Sequence, residues 1–319
     1  MASENNLTAV FTDIANAIRD KKGSVDTIKP INMADEILTI ETKSTIYSLL
    51  ESRGTDWSNA FYANTSNKSV FYYMTELSEN DIPPSNNVIN MYQMFINCAS
   101  LTTIPLIDTS SCTNMSYMFA GCKNLTIIQQ LDTSSCTNIS GIFNNCYKLT
   151  TIPLLNTSNA TDMRSMFSSC SNLTSIPQLD TSLCTNMTYM FYSCSNLTSI
   201  PKINTNSSTN ISLMFANCYK LEKIDITKFV DGTSYNNQFA NSCYSLKTLI
   251  IRTMDTIPAL NSNAFTNCYH FYGTTNSTYN PNGLKDGRIY VPDDKVEALK
   301  TATNWSVFAD IIKPLSEYV

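Results

Sequence analysis

The chain has 319 residues, with 21 basic and 26 acidic side chains and a formal net charge of -5. This acidic balance argues against nucleic-acid binding, which needs a basic surface to neutralise phosphates. Charged residues make up only 15% of the chain and hydrophobic residues 43%, so the composition excludes a disordered polar chain and predicts a core beneath a polar, weakly charged surface.

Residues 1–45 are predicted to form a small helical unit. Its apolar side chains share one helix face, Gly23 and Ser24 then interrupt the helix, and a second short helix begins near Asn32. The apolar face comprises Leu7, Val10, Phe11, Ile14 and Ile18. The stretch TDIANAIRDKKGS, followed by IKP, resembles the N-terminal segment of tail-fibre (receptor-binding) proteins of phages and prophages of Gram-positive bacteria. The resemblance implies an attachment or oligomerisation segment, and a helical hairpin that caps the next domain is the alternative.

The N-terminus contains no apolar stretch long enough for a secretory signal peptide. The chain also has no run of 18 apolar residues, so no transmembrane helix is expected. We therefore expect a protein without membrane insertion that folds in the host cytoplasm. Residues 46–66 are predicted to be a connector and N-terminal cap.

Residues 67–284 repeat with a period of 24 residues, which is typical of solenoid proteins. Two rows of residues define the period and are predicted to form buried ladders. The cysteine row is Cys98, Cys122, Cys146, Cys170, Cys194 and Cys218, and the phenylalanine row is Phe95, Phe119, Phe143, Phe167, Phe191 and Phe215. Leucine and isoleucine recur in phase with them, as in Leu101 and Ile104.

Each 24-residue unit is predicted to supply one short strand and one short helix. The L-T-x-I segment suits a strand, which a proline such as Pro105 then ends. The D-T-S segment is typical of a turn, and a threonine such as Thr113 can cap a helix over M-x-x-M-F-x-x-C. The predicted fold class is an α/β repeat solenoid of leucine-rich-repeat type, with the helical N-terminal unit before it and a C-terminal cap over residues 285–319.

The repeat M-F-x-x-C-x-x-L-T-x-I-P resembles the leucine-rich repeats of BspA-like bacterial surface proteins. That family is adhesive, so the resemblance implies binding through a face of the solenoid. In the C-terminal cap, Arg288–Val291 is predicted to be a strand and Pro292 to precede a helix.

Catalysis has little support in the sequence. The chain contains one histidine and 8 glycines, so a histidine-based metal cluster is excluded, and no glycine-rich phosphate loop is found. The acids recur as turn residues, as at Asp108 and Asp132, although such a row could in principle space carboxylates for glycoside hydrolysis. We predict that the protein is not an enzyme and needs no metal or other cofactor.

The eleven cysteines have no C-x-x-C spacing and therefore do not indicate a zinc site. In a stacked array they would form a buried ladder of thiols, where cysteine packs as a small apolar residue. Neighbouring units would also bring cysteines within disulfide range, so pairing stays open.

The candidate binding residues follow the cysteines of the last three units. They are Tyr219, Tyr244 and Tyr269, with Lys220 and His270 beside them. Flat aromatic faces next to hydroxyl and amide groups suit sugar rings. The alternative is that the tyrosines only pack against one another or beneath the C-terminal cap.

Three functions follow from these patterns. The first is a phage or prophage tail receptor-binding protein at the tail tip of the virion. Its solenoid would recognise a bacterial-surface glycan or protein, and residues 1–45 would form a homotrimer or bind other tail or baseplate proteins. The second is a cell-surface adhesin of BspA-like type, which the missing export signal opposes. The third, a glycan-cleaving tail enzyme, is opposed by the lack of paired acids.

Overall fold

The computed structural model describes residues 50–60, 77, 82, 84–231, 234 and 236–318. The predicted attachment segment, residues 1–45, lies outside the described residues. The same holds for residues 61–76, where the first degenerate repeat was expected to begin.

Consecutive units are joined in parallel at one asparagine or aspartate per unit. Residue pairs such as Asn114 and Asn138 form isolated parallel β-bridges. The bridged series is Asp56, Asn90, Asn114, Asn138, Asp162, Asn186 and Asn210. The side chain of Asn138 accepts a hydrogen bond from the backbone N–H of Ser140, two residues later. Each bridge residue can thus fix both the turn that follows it and the contact with the next unit.

The bridged series reaches Asp56, which lies within the segment predicted to be a connector. Asp56 bridges Asn90, 34 residues further along the chain, and the Trp57 N–H donates to the Asn90 carbonyl at 2.8 Å. A strict 24-residue step from Asn90 would have selected residue 66. The first bridged unit is therefore ten residues longer than the others, and its start was hidden from a fixed-period search.

The segment predicted to be a short helix consists of turns in the described units. Tyr117 and Gly121 both have positive φ, at 56° and 76°, which interrupts an α-helix. Alternate N–H groups close local turns, as Met118 does on Met115, whereas the N–H groups between them donate to the following unit. In one unit these donors are Met115 (to Asn138, 3.1 Å), Tyr117 (to Ser140, 2.8 Å), Phe119 (to Ile142, 3.0 Å) and Gly121 (to Asn144, 2.7 Å).

Extended strands are confined, within the described residues, to the C-terminal third. They form one parallel sheet with the order β1-β2-β3-β4. The strands are β1 (Lys223–Lys228), β2 (Thr248–Thr253), β3 (Arg288–Val291) and β4 (Ile312–Pro314). Proline explains this distribution, because it lacks the N–H that a sheet needs. Earlier units carry Pro105, Pro153, Pro177 and Pro201 where β1 and β2 have Asp225 and Ile250.

The C-terminal segment closes the last unit. Two short α-helices lie there, α1 (Tyr269–Tyr272) and α2 (Val296–Thr301). Three 3-10 helices, Asp293–Lys295, Ser306–Phe308 and Leu315–Glu317, complete the segment. The buried indole of Trp305 donates to the Pro258 carbonyl at 2.8 Å and packs against Phe229. The observed β3 coincides with the strand predicted from the sequence.

The core contains both predicted rows. Every phenylalanine from Phe95 to Phe215 in the row is fully buried, and successive rings stack with centroids 5.4–6.0 Å apart. All eleven cysteines are buried thiols. Burial of one such large apolar side chain contributes about 1.5–3 kcal/mol, so these repeated rows stabilise the stack unit by unit.

Candidate functional site

The three predicted tyrosines form one stack on the surface. The Tyr219 and Tyr244 rings are nearly parallel, at 4°, with centroids 4.7 Å apart. The Tyr244 and Tyr269 rings follow at 5.1 Å and 23°. All three side chains are half-buried. The structure therefore brings together Tyr219, Tyr244 and Tyr269, which we call the tyrosine row.

Stacking changes what the tyrosine row can offer to a ligand. Rings 4.7–5.1 Å apart leave no room for a sugar ring between them, so both faces of Tyr244 are covered. The expected use of flat ring faces is therefore not available at the centre of the row. A ligand would instead meet ring edges and hydroxyl groups, which hydrogen-bond and make edge contacts.

Three further tyrosines extend the row, and sequence analysis did not select them. Tyr279 packs against Tyr244 with centroids 4.9 Å apart. Tyr192 lies close enough to Tyr219 to affect its ionisation, and Tyr189 meets Tyr192 edge-to-face at 5.5 Å. We call these six residues the tyrosine patch: Tyr189, Tyr192, Tyr219, Tyr244, Tyr269 and Tyr279.

Tyr279 has no signal in the 24-residue period because it follows the last repeat. Its position is set by a local turn in which the Asn276 side chain accepts N–H groups from Thr278 and Tyr279, both at 3.0 Å. Asn276 and Asn280 also form an antiparallel bridge around it. Only this turn, together with the packing of the C-terminal segment, brings the ring onto Tyr244.

The tyrosine patch disfavours negative charge on its own hydroxyl groups. Burial raises the pKa of Tyr219, and the nearby Tyr244, Tyr192 and Tyr279 raise it further. The Tyr219 hydroxyl is consequently a neutral donor and acceptor at physiological pH, which suits hydrogen bonding to uncharged polar ligands.

His270 supports the patch from below and does not face a ligand. It is buried, with 5% of its surface exposed. Its Nδ1 lies 2.6 Å from Asp286 Oδ1 and its Nε2 lies 3.0 Å from the Tyr279 carbonyl oxygen. Both partners are hydrogen-bond acceptors, and both ring nitrogens are occupied. Sequence analysis named His270 as a binding residue, but the structure places it as a positioning residue for Tyr279, because the loop containing Asp286 folds over it.

Lys220 is exposed beside Tyr219. It is the cationic residue among the five that the sequence indicated, and its side chain is available to an anionic or hydroxylated ligand at the edge of the patch.

The acidic residues of the turns are used within the turns. Asp132 Oδ1 accepts the N–H of Ser134 at 2.9 Å and its hydroxyl at 2.6 Å. These bonds lower the pKa of Asp132, as the equivalent bonds do for Asp108 and Asp180. A general acid needs a raised pKa, so the turn carboxylates have the opposite property. Within the residues that the structure describes, no group of three or more His, Cys, Asp or Glu side chains is arranged to hold a metal ion.

The described part of the chain contains no helix with the length and hydrophobicity that a membrane span requires. A comparison with curated proteins gives no match. One family model, described as "Mycoplasma protein of unknown function, DUF285", matches residues 59–174 and again residues 149–250. The two matches together span more than half of the 319 residues and cover most of the repeats. The chain therefore belongs to the DUF285 family.

Proposed function

We propose that this chain is a receptor-binding protein that uses the tyrosine patch to recognise a glycan or protein on a bacterial cell surface. The observation that carries the proposal is the continuous stack of Tyr219, Tyr244, Tyr269 and Tyr279 at centroid distances of 4.7–5.1 Å. Stacked tyrosines are rigid, amphipathic and half-exposed, so a ligand can bind them with little loss of side-chain entropy.

The fold proposed for this role is the leucine-rich-repeat-type solenoid. The parallel bridges between consecutive units and the stacked phenylalanine row support it. A solenoid presents a long regular surface, and here it would hold tyrosines of consecutive units at a fixed spacing. The proposed role is binding without catalysis, and the use of the turn carboxylates within their own turns supports this.

The biological setting that we propose is the tail tip of a phage or prophage virion. The support is the resemblance of residues 1–45 to the N-terminal segment of tail receptor-binding proteins. In this account the segment forms a homotrimer or docks on other tail or baseplate proteins, and several copies per particle add avidity to a weak single site.

The second candidate is a cell-surface adhesin of BspA-like type. It is carried by the repeat M-F-x-x-C-x-x-L-T-x-I-P and predicts the same binding surface. The two candidates differ in residues 1–45. Light scattering on the full chain tests this difference: the tail account predicts a trimer that Phe11→Asp, on the apolar face of the predicted helix, converts to monomer. A monomeric wild-type chain would favour the adhesin.

Binding itself is tested with fluorescently labelled full-length protein on whole Gram-positive cells. Saturable binding that survives protease treatment of the cells, and that purified wall polysaccharide competes away, identifies a glycan receptor. Loss of binding after protease treatment identifies a protein receptor. Absence of saturable binding to every strain of a broad panel would contradict the proposed function.

A further inference from the structure

A second, shorter series of cysteines lies on the turn side of the units. It occurs at a 24-residue step, as Cys112, Cys136 and Cys184, with Ala160 and Ser208 at the intervening and following positions. Only Cys112 and Cys136 occupy consecutive units. Cys184 has alanine and serine as its neighbours in the series and therefore offers a natural comparison.

Backbone register places Cys112 and Cys136 side by side. Asn114 and Asn138, two residues after each cysteine, form a parallel bridge, and the Thr137 N–H donates to the Thr113 carbonyl at 3.0 Å. Parallel neighbours at this spacing have Cα atoms about 4.8 Å apart, which lies within the range that disulfides occupy, about 4.4–6.8 Å.

The two thiols also interact directly. Cys136 Sγ lies 2.8 Å from the carbonyl oxygen of Cys112. Its hydrogen bond to the Cys112 side chain lowers the pKa of Cys112, and the backbone of Asn114 and Met91 lowers it further, against the effect of burial. The Cys112 sulfur is thus surrounded by donors that stabilise a thiolate, the form of cysteine that reacts.

The cysteine row in the core is different. There each thiol donates to a carbonyl of an earlier unit, as Cys146 does to Phe119 at 3.2 Å. Burial raises the pKa of Cys146 well above the usual value. Cys184 also has a raised pKa, about 11, with burial as the main cause. Among the described cysteines, the geometry thus distinguishes one pair from the unreactive majority.

We propose that Cys112 and Cys136 are a redox pair that forms a disulfide when the protein meets a peroxide or a small-molecule disulfide. With hydrogen peroxide, the Cys112 sulfur attacks one peroxide oxygen, the O–O bond breaks, and a sulfenic acid and water form. The Cys136 sulfur then displaces the sulfenic oxygen as a second water. Two thiols lose two protons and two electrons, and one peroxide becomes two waters.

Access for the oxidant comes from local opening of the turn. Cys112 and Cys136 are buried, but Thr113 and Thr137, the residues directly after them, are exposed. The turn before Cys112 is closed by its N–H on the Thr109 carbonyl, at 3.0 Å. A displacement of about one residue at this surface exposes the pair, and such local openings need far less free energy than global unfolding.

The bond would link two consecutive units through a closed loop of intermediate length. Closing such a loop lowers the entropy of the unfolded chain and stabilises the fold. The pair would be reduced in a cytoplasm and oxidised outside the cell, so the link would strengthen the array where it meets its receptor.

The test uses the full chain, purified in reductant, freed of it, and exposed to hydrogen peroxide at a few equivalents. Non-reducing peptide mapping is expected to show one cross-linked pair of peptides containing Cys112 and Cys136, and the thermal midpoint is expected to rise and to return after reduction. Cys136→Ala should abolish both effects. Alanine is the residue that this series already carries at Ala160, so this variant should fold.

Cys184→Ala is the matched control and should keep both effects. Peptide mapping of the wild-type chain decides the question even if a variant fails to fold. The proposal is overturned if oxidation yields no Cys112–Cys136 link, if core cysteines are linked in preference, or if Cys184→Ala removes the rise in midpoint as fully as Cys136→Ala does.

Discussion

The thiol of Cys170 donates a hydrogen bond to the backbone carbonyl of Phe143, 3.1 Å away in an earlier unit. The same bond recurs along the core, with donor-to-acceptor distances of 3.0–3.2 Å. The pairs are Cys122–Phe95, Cys146–Phe119, Cys170–Phe143, Cys194–Phe167, Cys218–Phe191, Cys243–Phe215 and Cys268–Ala240. Cysteine is therefore present as a small side chain that also ties two units together, a role that alanine or valine cannot fill.

Replacement of Cys170 by alanine should destabilise the protein by about 1–2 kcal/mol, because it removes this hydrogen bond and leaves a small cavity. Urea unfolding of the full chain measures the loss. Cys184→Ala is the control, since its series accepts Ala160, and it should cost clearly less. Equal losses for the two variants would show that the bond to Phe143 contributes nothing particular.

Alkaline pH should destabilise the fold through its thiols. Burial raises the pKa of Cys170 to about 12, whereas an unfolded cysteine has a pKa near 8.5. A group with a raised folded pKa gives its full stabilisation below the unfolded value and loses it as pH rises toward the folded value. The unfolding midpoint should therefore fall steadily above about pH 8.5. Alkylation of the native protein with iodoacetamide at pH 8 should likewise leave Cys170 unmodified, and rapid labelling there would contradict this account.

Acid should weaken the turns at Asp108, Asp132 and Asp180. Hydrogen bonds from serines two residues later lower the pKa of each carboxyl group. The stabilisation is therefore complete above the unfolded pKa near 3.9 and is lost as pH falls through the folded value. Asp132→Asn should be nearly neutral at pH 7, because Asn156 makes the same turn with Ser158, and it should remove part of the acid sensitivity. Thermal melts of both proteins from pH 7 to 3 measure the difference, and parallel curves would refute it.

Gly141 makes room for an aromatic ring of the preceding unit. Its φ is 58°, and a Cβ added there would lie 2.4 Å from Cε1 of Tyr117. Gly141→Ala should destabilise the protein by about 1–3 kcal/mol, through a left-handed backbone and the steric clash. The double variant Gly141→Ala with Tyr117→Ala should recover the part due to the clash. A strictly additive double-mutant cycle in urea would show that the ring is not the cause.

The rows of cysteine and phenylalanine could be predicted because every unit has to bury the same position. Cys98 to Cys218 and Phe95 to Phe215 kept one step, and the structure places all of them in the core. The turn geometry could not be predicted in the same way. Left-handed residues occur at Tyr117, Gly141 and Leu213, which share a position in the repeat but no chemistry, so the sequence favoured a helix there.

The tyrosine row was predictable from its spacing, but its surroundings were not. Tyr279 reaches Tyr244 through a turn outside the period. The burial of His270 depends on Asp286, which lies 16 residues further along the chain. Both depend on how a non-repeating segment folds back, and a periodic pattern contains no information about that.

The central claim is that the tyrosine patch binds the receptor, and Tyr244 tests it most directly because its ring contacts Tyr219, Tyr269 and Tyr279. The measurement is the dissociation constant for whole cells of full-length wild type, Tyr244→Ala and Tyr147→Ala, with the unfolding midpoint of each. Tyr147 is 39% exposed and lies outside the patch. We predict that Tyr244→Ala weakens binding about tenfold or more, as loss of a central aromatic contact does, while Tyr147→Ala stays near wild type. Wild-type affinity in a folded Tyr244→Ala variant would contradict the account.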